Sequence, residues 1–298
     1  MNDERARILK LLEDGKITAD QAARLIEAMK PRSSEACFVP PIPAVPPIPR
    51  RGKFKELERI PDIVANAVAS AMKSGIGSDA EGRQVFPGKS ALSVKGVSGD
   101  VEVKGTEESR VAVEYSGGMA RAREEDDSVE VRAVSGDVEA EVPTQSRLEL
   151  TTVSGDITVE QVNGEALVKT VSGDIDLEDH DGKTDISTIS GDVALVGHAG
   201  ATVVETRSGN IEVEMAGPIE GSAITHSGDV SLSVNSDADL MLKIQADGEE
   251  DVELDVQAPH EVQEQSGGYV RLKFGAGIRT FIIRTRSGQV VIQDKEEE

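Results

Sequence analysis

Asp100, Asp137, Asp156, Asp174, Asp192 and Asp229 each close a Ser-Gly-Asp triplet. Carboxylates at one repeated position could bind divalent cations through their oxygens. The same residue type also suits a tight turn, where its side chain accepts hydrogen bonds from nearby backbone amides and the glycine supplies a positive φ. Ser208-Gly209-Asn210 favours the turn, because asparagine keeps the acceptor and loses the charge. The Ca²⁺-binding nonapeptide pattern is also absent. The expectation is a structural turn with no metal and no cofactor.

His180 and His198 lie 18 residues apart at equivalent positions, flanked by Asp179 and Asp181, and could form a two-histidine zinc site. Their equivalents in neighbouring repeats are Val162 and Ala216, so no third ligand is defined and exposed turn histidines are expected. The repeated serines lack a Gly-x-Ser-x-Gly elbow. Polysaccharide-cleaving chemistry needs clustered acids and bases, often with aromatic sugar platforms. Here the carboxylates are spread along the repeat and aromatic residues make up 2% of the chain, with no Trp, so no catalytic residue is expected.

The elements that must position these residues follow from the repeat. Its turns are Ser98-Gly99-Asp100, Ser135-Gly136-Asp137, Ser154-Gly155-Asp156, Ser172-Gly173-Asp174, Ser190-Gly191-Asp192, Ser208-Gly209-Asn210 and Ser227-Gly228-Asp229, with Ser287-Gly288-Gln289 as a variant. The intervals between the serines are 37, 19, 18, 18, 18, 19 and 60 residues, a repeat architecture in which 37 is two rungs and Ser116-Gly117-Gly118 stands for the missing copy. Positions two, four and six before each serine and three and five after it are apolar or threonine, as Leu148, Leu150, Thr152, Ile157 and Val159 are around Ser154. Period-two alternation on both sides predicts two half-buried strands per rung. A second turn follows at Gly164, Gly182 and Gly200.

An antiparallel sandwich also alternates, but it gives no reason for equivalent positions to coincide. Thr152, Thr170, Thr188, Thr206 and Thr225 all stand two before the serine, an inward ladder that makes sense if each copy stacks in parallel on the last, with hydroxyls bonded along the stack. The predicted fold is mainly β: a single-stranded parallel β-helix of roughly ten rungs, near 50 Å long at about 4.8 Å per rung, and expected to be right-handed. It covers residues 84–294. The pattern blurs between Ser227 and Ser287, where Asp247, Glu249, Glu250 and Asp251 mark a loop or wider rung, and Phe281, Ile283, Val290 and Ile292 restore it.

Residues 1–30 read as a helical hairpin, with apolar positions Ile8, Leu11, Leu12, Leu25, Ile26 and Met29 interrupted at Asp14-Gly15. So small a core predicts association with a copy of itself, hence a homo-oligomer. Residues 31–52 are a Pro-rich spacer. Residues 53–78 hold an amphipathic helix, with Ile60, Ile63, Val64, Ala67, Val68, Ala71 and Met72 on one face, expected to cap the open end of the β structure. An acidic tail, 295–298, is expected to be solvated.

Acidic residues outnumber basic ones 55 to 32, giving a net charge of -23 that repels phosphate backbones and excludes nucleic acid as a partner. No integral membrane segment is read, since no stretch approaches 18 apolar residues. The lone Cys37 excludes an internal disulfide. Charged residues occupy the place of a signal peptide, so the default location is cytoplasmic, with membrane association or release to the surface under stress kept open.

The Val-Ser-Gly-Asp-Ile/Val repeats resemble the bacterial putative-adhesin domain of unknown function, whose members form single-stranded β-helices, over about 200 residues. The opening Glu-Arg-Ala-Arg-Ile-Leu-Lys-Leu-Leu-Glu-Asp-Gly-Lys-Ile-Thr-Ala-Asp-Gln-Ala resembles the short helical domain of LiaX/YvlB-like envelope-stress proteins. The resemblance implies a non-catalytic scaffold or sensor in the envelope stress response with an envelope-associated protein partner. The alternative is a surface adhesin binding glycan or protein, with a polysaccharide-processing β-helix enzyme behind both.

Overall fold

The computed structural model describes residues 82–248 and 251–295, and among these there is no helix. The expected hairpin, Pro-rich spacer and amphipathic helix, and nearly all of the acidic tail, lie outside the described residues. Alternation builds the strands as expected. In Gln145–Thr151 and Ile157–Glu160, Leu148, Leu150, Ile157 and Val159 point inward and are at most 1% exposed, while Arg147 and Glu149 face water.

The same positions stack in register from rung to rung. Ala166 pairs with Leu148 on one side and Thr184 on the other, and Val168 with Leu150 and Ile186, all in parallel. Beyond the turn Ile175 pairs with Ile157 and Val193. The second-turn glycines Gly164, Gly182 and Gly200 coincide as well. A Cβ on Gly182 would lie 2.0 Å from the Gly164 carbonyl oxygen, so glycine here is what lets the rungs close to β spacing.

From residue 145 to residue 234 five rungs follow one another in sequence order. The 19-residue interval between Ser208 and Ser227 is absorbed by a bulge: His198 pairs with Met215 and Gly200 with Ile219, leaving Ala216-Gly217-Pro218 as the looped excess.

Sequential stacking does not hold at the ends. The rung carrying Ser98 lies between those of Ser135 and Ser154, because Ala91–Gly96 pairs in parallel with both Ser128–Ala133 and Gln145–Thr151. The stretch containing Ser116-Gly117-Gly118 is a rung, but it runs backwards: Arg110–Ser116 is antiparallel to Asp137–Pro143, and Ala120–Glu125 to Ser128–Ala133. The C-terminal end mirrors this exchange. The Ser287 rung inserts between the Ser227 rung and residues 240–255, and the antiparallel hairpin of His260–Ser266 and Tyr269–Phe274 closes the stack. The blurred segment is therefore one wide rung plus a hairpin. With these, ten rungs are stacked among the described residues.

The reversal has a physical reason. A parallel stack left open presents an unpaired strand edge at each end, which invites association with other chains. Here the outermost strands include Gly82–Pro87 and His260–Ser266, nearly all exposed, and they carry Arg83, Pro87, Glu261 and Glu264, residues that discourage further pairing.

Candidate functional site

The aspartate column forms one continuous ladder. Oδ1 of Asp137 accepts the Asp100 amide at 3.0 Å, and Asp100 accepts the Asp156 amide at 2.9 Å. Asp156 then accepts from Asp174, and Asp174 from Asp192, both at 2.8 Å. Asp192 receives the Asn210 amide at 2.7 Å, Asn210 the Asp229 amide at 2.9 Å, and Asp229 the Gln289 amide at 2.7 Å. The accepted amide is not one of the same turn, as expected, but lies in the next rung, so each carboxylate ties two copies together. Asn210 serves because only an oxygen acceptor is needed. The aspartates are exposed, so their carboxylates form an anionic line with a rung spacing of about 4.8 Å, interrupted by the neutral Asn210. Among the described residues no group of three or more His, Cys, Asp or Glu side chains is placed to hold a metal ion.

The threonine ladder lies inside. Thr152, Thr170, Thr188 and Thr206 are 0% exposed and Thr225 2%. One hydroxyl bond runs along the stack, from Thr152 to Thr170 at 3.0 Å. Others turn to carbonyls: Thr188 to Ser190 at 3.3 Å, and Thr225 to Gly209 at 3.1 Å. Thr285, two residues before Ser287, extends the ladder and donates to the Gly228 carbonyl at 3.0 Å. Its spacing was readable in the sequence.

His180 and His198 are not exposed turn residues. They are 1% and 0% exposed and stack with ring centroids 5.6 Å apart and planes 2° from parallel. Their column begins at Val162 and ends at Met215, not Ala216, because of the bulge, so an apolar position has been filled by imidazoles. His198 Nε2 bonds the Thr202 hydroxyl, while both His180 ring nitrogens and the Thr184 hydroxyl have no hydrogen-bond partner. Burial pushes the His180 imidazole below its usual pKa, against small opposing effects of the Val162 backbone and Asp181. Burial, then the neighbouring His180, lowers His198 to about 4. The pair is neutral and structural near neutral pH.

Outside the core, charges also run in columns. Glu165 lies between Lys183 at 2.8 Å and Arg147 at 3.4 Å, and Lys104 meets Glu160 at 2.7 Å. A concavity of about 130 Å³ near the N-terminal end is lined by Arg83, Lys104, Glu102, Glu114, Glu139 and Glu141, with Ala112 and Ala140 at its floor. It is smaller than ordinary small-molecule sites.

The family comparison agrees with this architecture. The Toastrack DUF4097 family profile matches residues 76–163 and 121–293, more than half of the chain, and a SHOCT-like domain matches residues 3–34. No curated protein matches. Among solved structures, a putative adhesin from Bacteroides fragilis is 11% identical with a TM-score of 0.36, covering 74% of this chain and 99% of that one. A putative cell adhesion protein from Clostridium sporogenes is 12% identical with a TM-score of 0.29, covering 73% and 100%. With its repeat spanning the matched region, the chain belongs to the Toastrack DUF4097 family.

Proposed function

We infer that this protein is a non-catalytic binding module that recognises a macromolecule through a rigid, linearly repeated surface. The observation that carries this reading is the unbroken turn ladder from Asp137 to Gln289, which holds eight rungs at one spacing and lines up exposed carboxylates on six of them. A partner offering weak contacts at several points along such a line gains affinity by multivalency. Surface adhesion to a glycan or protein is the form of this activity that needs nothing beyond the solenoid.

A second reading is favoured by the SHOCT-like match at residues 3–34: a small segment that associates copies would make the same rod a scaffold or sensor in envelope stress. The test for both is binding of the intact protein to arrays of envelope glycans and envelope proteins. A second variant lacks residues 163–180, one complete repeat. Saturable binding that weakens when the rung is removed supports the repeated surface. Binding that is indifferent to rung number contradicts it, and loss of self-association on deleting residues 1–30 distinguishes scaffold from adhesin.

A further inference from the structure

The turn corner of the solenoid changes character partway along the stack. In spatial order the residue before the turn serine is Val134, Val97, Val153, Val171 and Ile189, each half-buried, and each of these turns ends in aspartate. The next three rungs carry Arg207, His226 and Arg286 instead, all exposed. Two of these three turns have also lost the carboxylate: Asn210 closes the turn after Arg207 and Gln289 the turn after Arg286, leaving Asp229 between them. The two departures coincide, so the corner passes from anionic to cationic where the regular repeat ends.

These three rungs are direct neighbours. Ser208 and Ser227 are bridged in parallel, and the Gly228 amide donates to the Ser287 carbonyl at 2.9 Å. Arg207, His226 and Arg286 therefore stand in one column at steps of about 4.8 Å, with about 9.6 Å between the two arginines. Arg284, two residues before Arg286 on the same face, adds a further cation, and its buried Nε has no hydrogen-bond partner. None of the three arginines forms an ion pair among the described residues. In a chain with net charge -23, arginines left without a carboxylate on one corner point to an anion from outside.

We propose that this corner binds an acidic polysaccharide laid along the rod axis across the Ser208, Ser227 and Ser287 rungs. Arg207 and Arg286 each present a planar fork that grips a carboxylate through two N–H donors. Beside them Ser208, Asn210, Ser227, Ser287 and Gln289 are exposed and can exchange hydrogen bonds with sugar hydroxyls. Asn210 Oδ1 accepts the Asp229 amide at 2.9 Å, which leaves its NH2 group to donate outward. Other polyanions fit less well. A bilayer surface would need apolar side chains to enter it, a nucleic-acid strand would need aromatic platforms, and a protein would need a buried anchor. Every exposed residue in these three turns is polar or charged. The site stands apart from the repeated aspartate surface.

Calorimetric titration of the intact protein with polygalacturonate tests this. Binding should be saturable, weaken with salt, and be absent with the fully methyl-esterified, uncharged polymer. Arg207→Gln with Arg286→Gln should weaken it at least about tenfold. Arg121→Gln with Arg123→Gln removes the same charge from exposed positions at the other end of the rod and should leave it unchanged. Asn210→Asp with Gln289→Asp restores the turn residue of the other rungs, so the fold is kept, and should also weaken binding. Removing residues 163–180 keeps all three cationic rungs and should leave this binding unchanged, so failure of the repeated surface and failure of this site are read separately. No saturable binding, equal binding of the esterified polymer, equal loss from the Arg121 and Arg123 pair, or capture by phosphatidylglycerol vesicles in place of the polymer would overturn the proposal.

Discussion

The middle of the solenoid and its two ends are built from the same kind of strand yet obey different rules. Between Ser154 and Ser227 each rung lies on the one before it, and the turn serines coincide from rung to rung because each copy meets a near-copy of itself. At the ends the chain steps outward, turns back and inserts a later or earlier rung beneath an outer one. Repetition suffices where the neighbour is another repeat. Where the neighbour would be solvent, closing the edge dictates the pairing.

That difference predicts where the molecule is fragile. Thr170→Asp places an unpaired charge among fully buried side chains with rungs on both sides, and it should cost roughly 3–5 kcal/mol by denaturant unfolding. Val262→Asp in the exposed terminal hairpin, or Glu160→Gln on the outer face, should each cost less than about 1 kcal/mol. Equal costs at Thr170 and Val262 would erase the distinction between middle and end.

Acid should strike the middle first, through the histidine pair. Both folded-state pKa values are depressed, so below the ordinary histidine value the unfolded chain binds protons that the folded chain excludes. The pair's contribution is complete above the ordinary value of 6.5 and is lost as pH falls toward about 4. For His198 the loss approaches about 3 kcal/mol. Replacing both imidazoles with the apolar residues of their own column, His180→Val and His198→Met, should flatten stability across that window. An unchanged pH profile in the double variant would place the acid sensitivity elsewhere.

Glycines sharpen the comparison further. A Cβ on Gly173, at φ 140°, would lie 2.2 Å from the Gly155 carbonyl oxygen, so Gly173→Ala must pry two rungs apart and should cost roughly 2–3 kcal/mol. Gly117, in the reversed rung at φ 69°, has nothing within 4 Å of its would-be Cβ, leaving about 1 kcal/mol of backbone strain. Thermal unfolding of the two variants tests the order. The smallest effect belongs to the turn ladder. Asp174→Ala removes the acceptor of the Asp192 amide and should cost about 1 kcal/mol, whereas Asp174→Asn, which copies Asn210, should be nearly neutral.

The same division explains what could be read from the sequence. The inward positions around Ser154, Ser172 and Ser190 were legible because period-two alternation and the 18-residue repeat report the same core, and Phe281, Ile283, Val290 and Ile292 were legible for the same reason. Strand direction was not, since alternation is identical in a strand and its reverse. Ser116-Gly117-Gly118 therefore read as an ordinary copy. The histidines were misplaced because flanking Asp179 and Asp181 signalled a turn, while the inward position of their column is visible only once Val162 is seen buried beside them. The aspartate's partner was misplaced by one rung, because an amide in the same turn and one in the next copy look alike in sequence.

Disulfide trapping in a Cys37→Ser background tests rung exchange at the ends. Ser98 and Ser154 are bridged neighbours in parallel, whereas the exchanged order puts Ser135 and Ser154 two rungs apart. A disulfide needs Cα atoms about 4.4–6.8 Å apart, and two rungs span about 9.6 Å. Ser98→Cys with Ser154→Cys should oxidise readily within one chain, and Ser135→Cys with Ser154→Cys should not. Efficient bridging of Ser135→Cys to Ser154→Cys, with none from Ser98→Cys, would show that the rungs stack in sequence order and that the account of the ends is wrong.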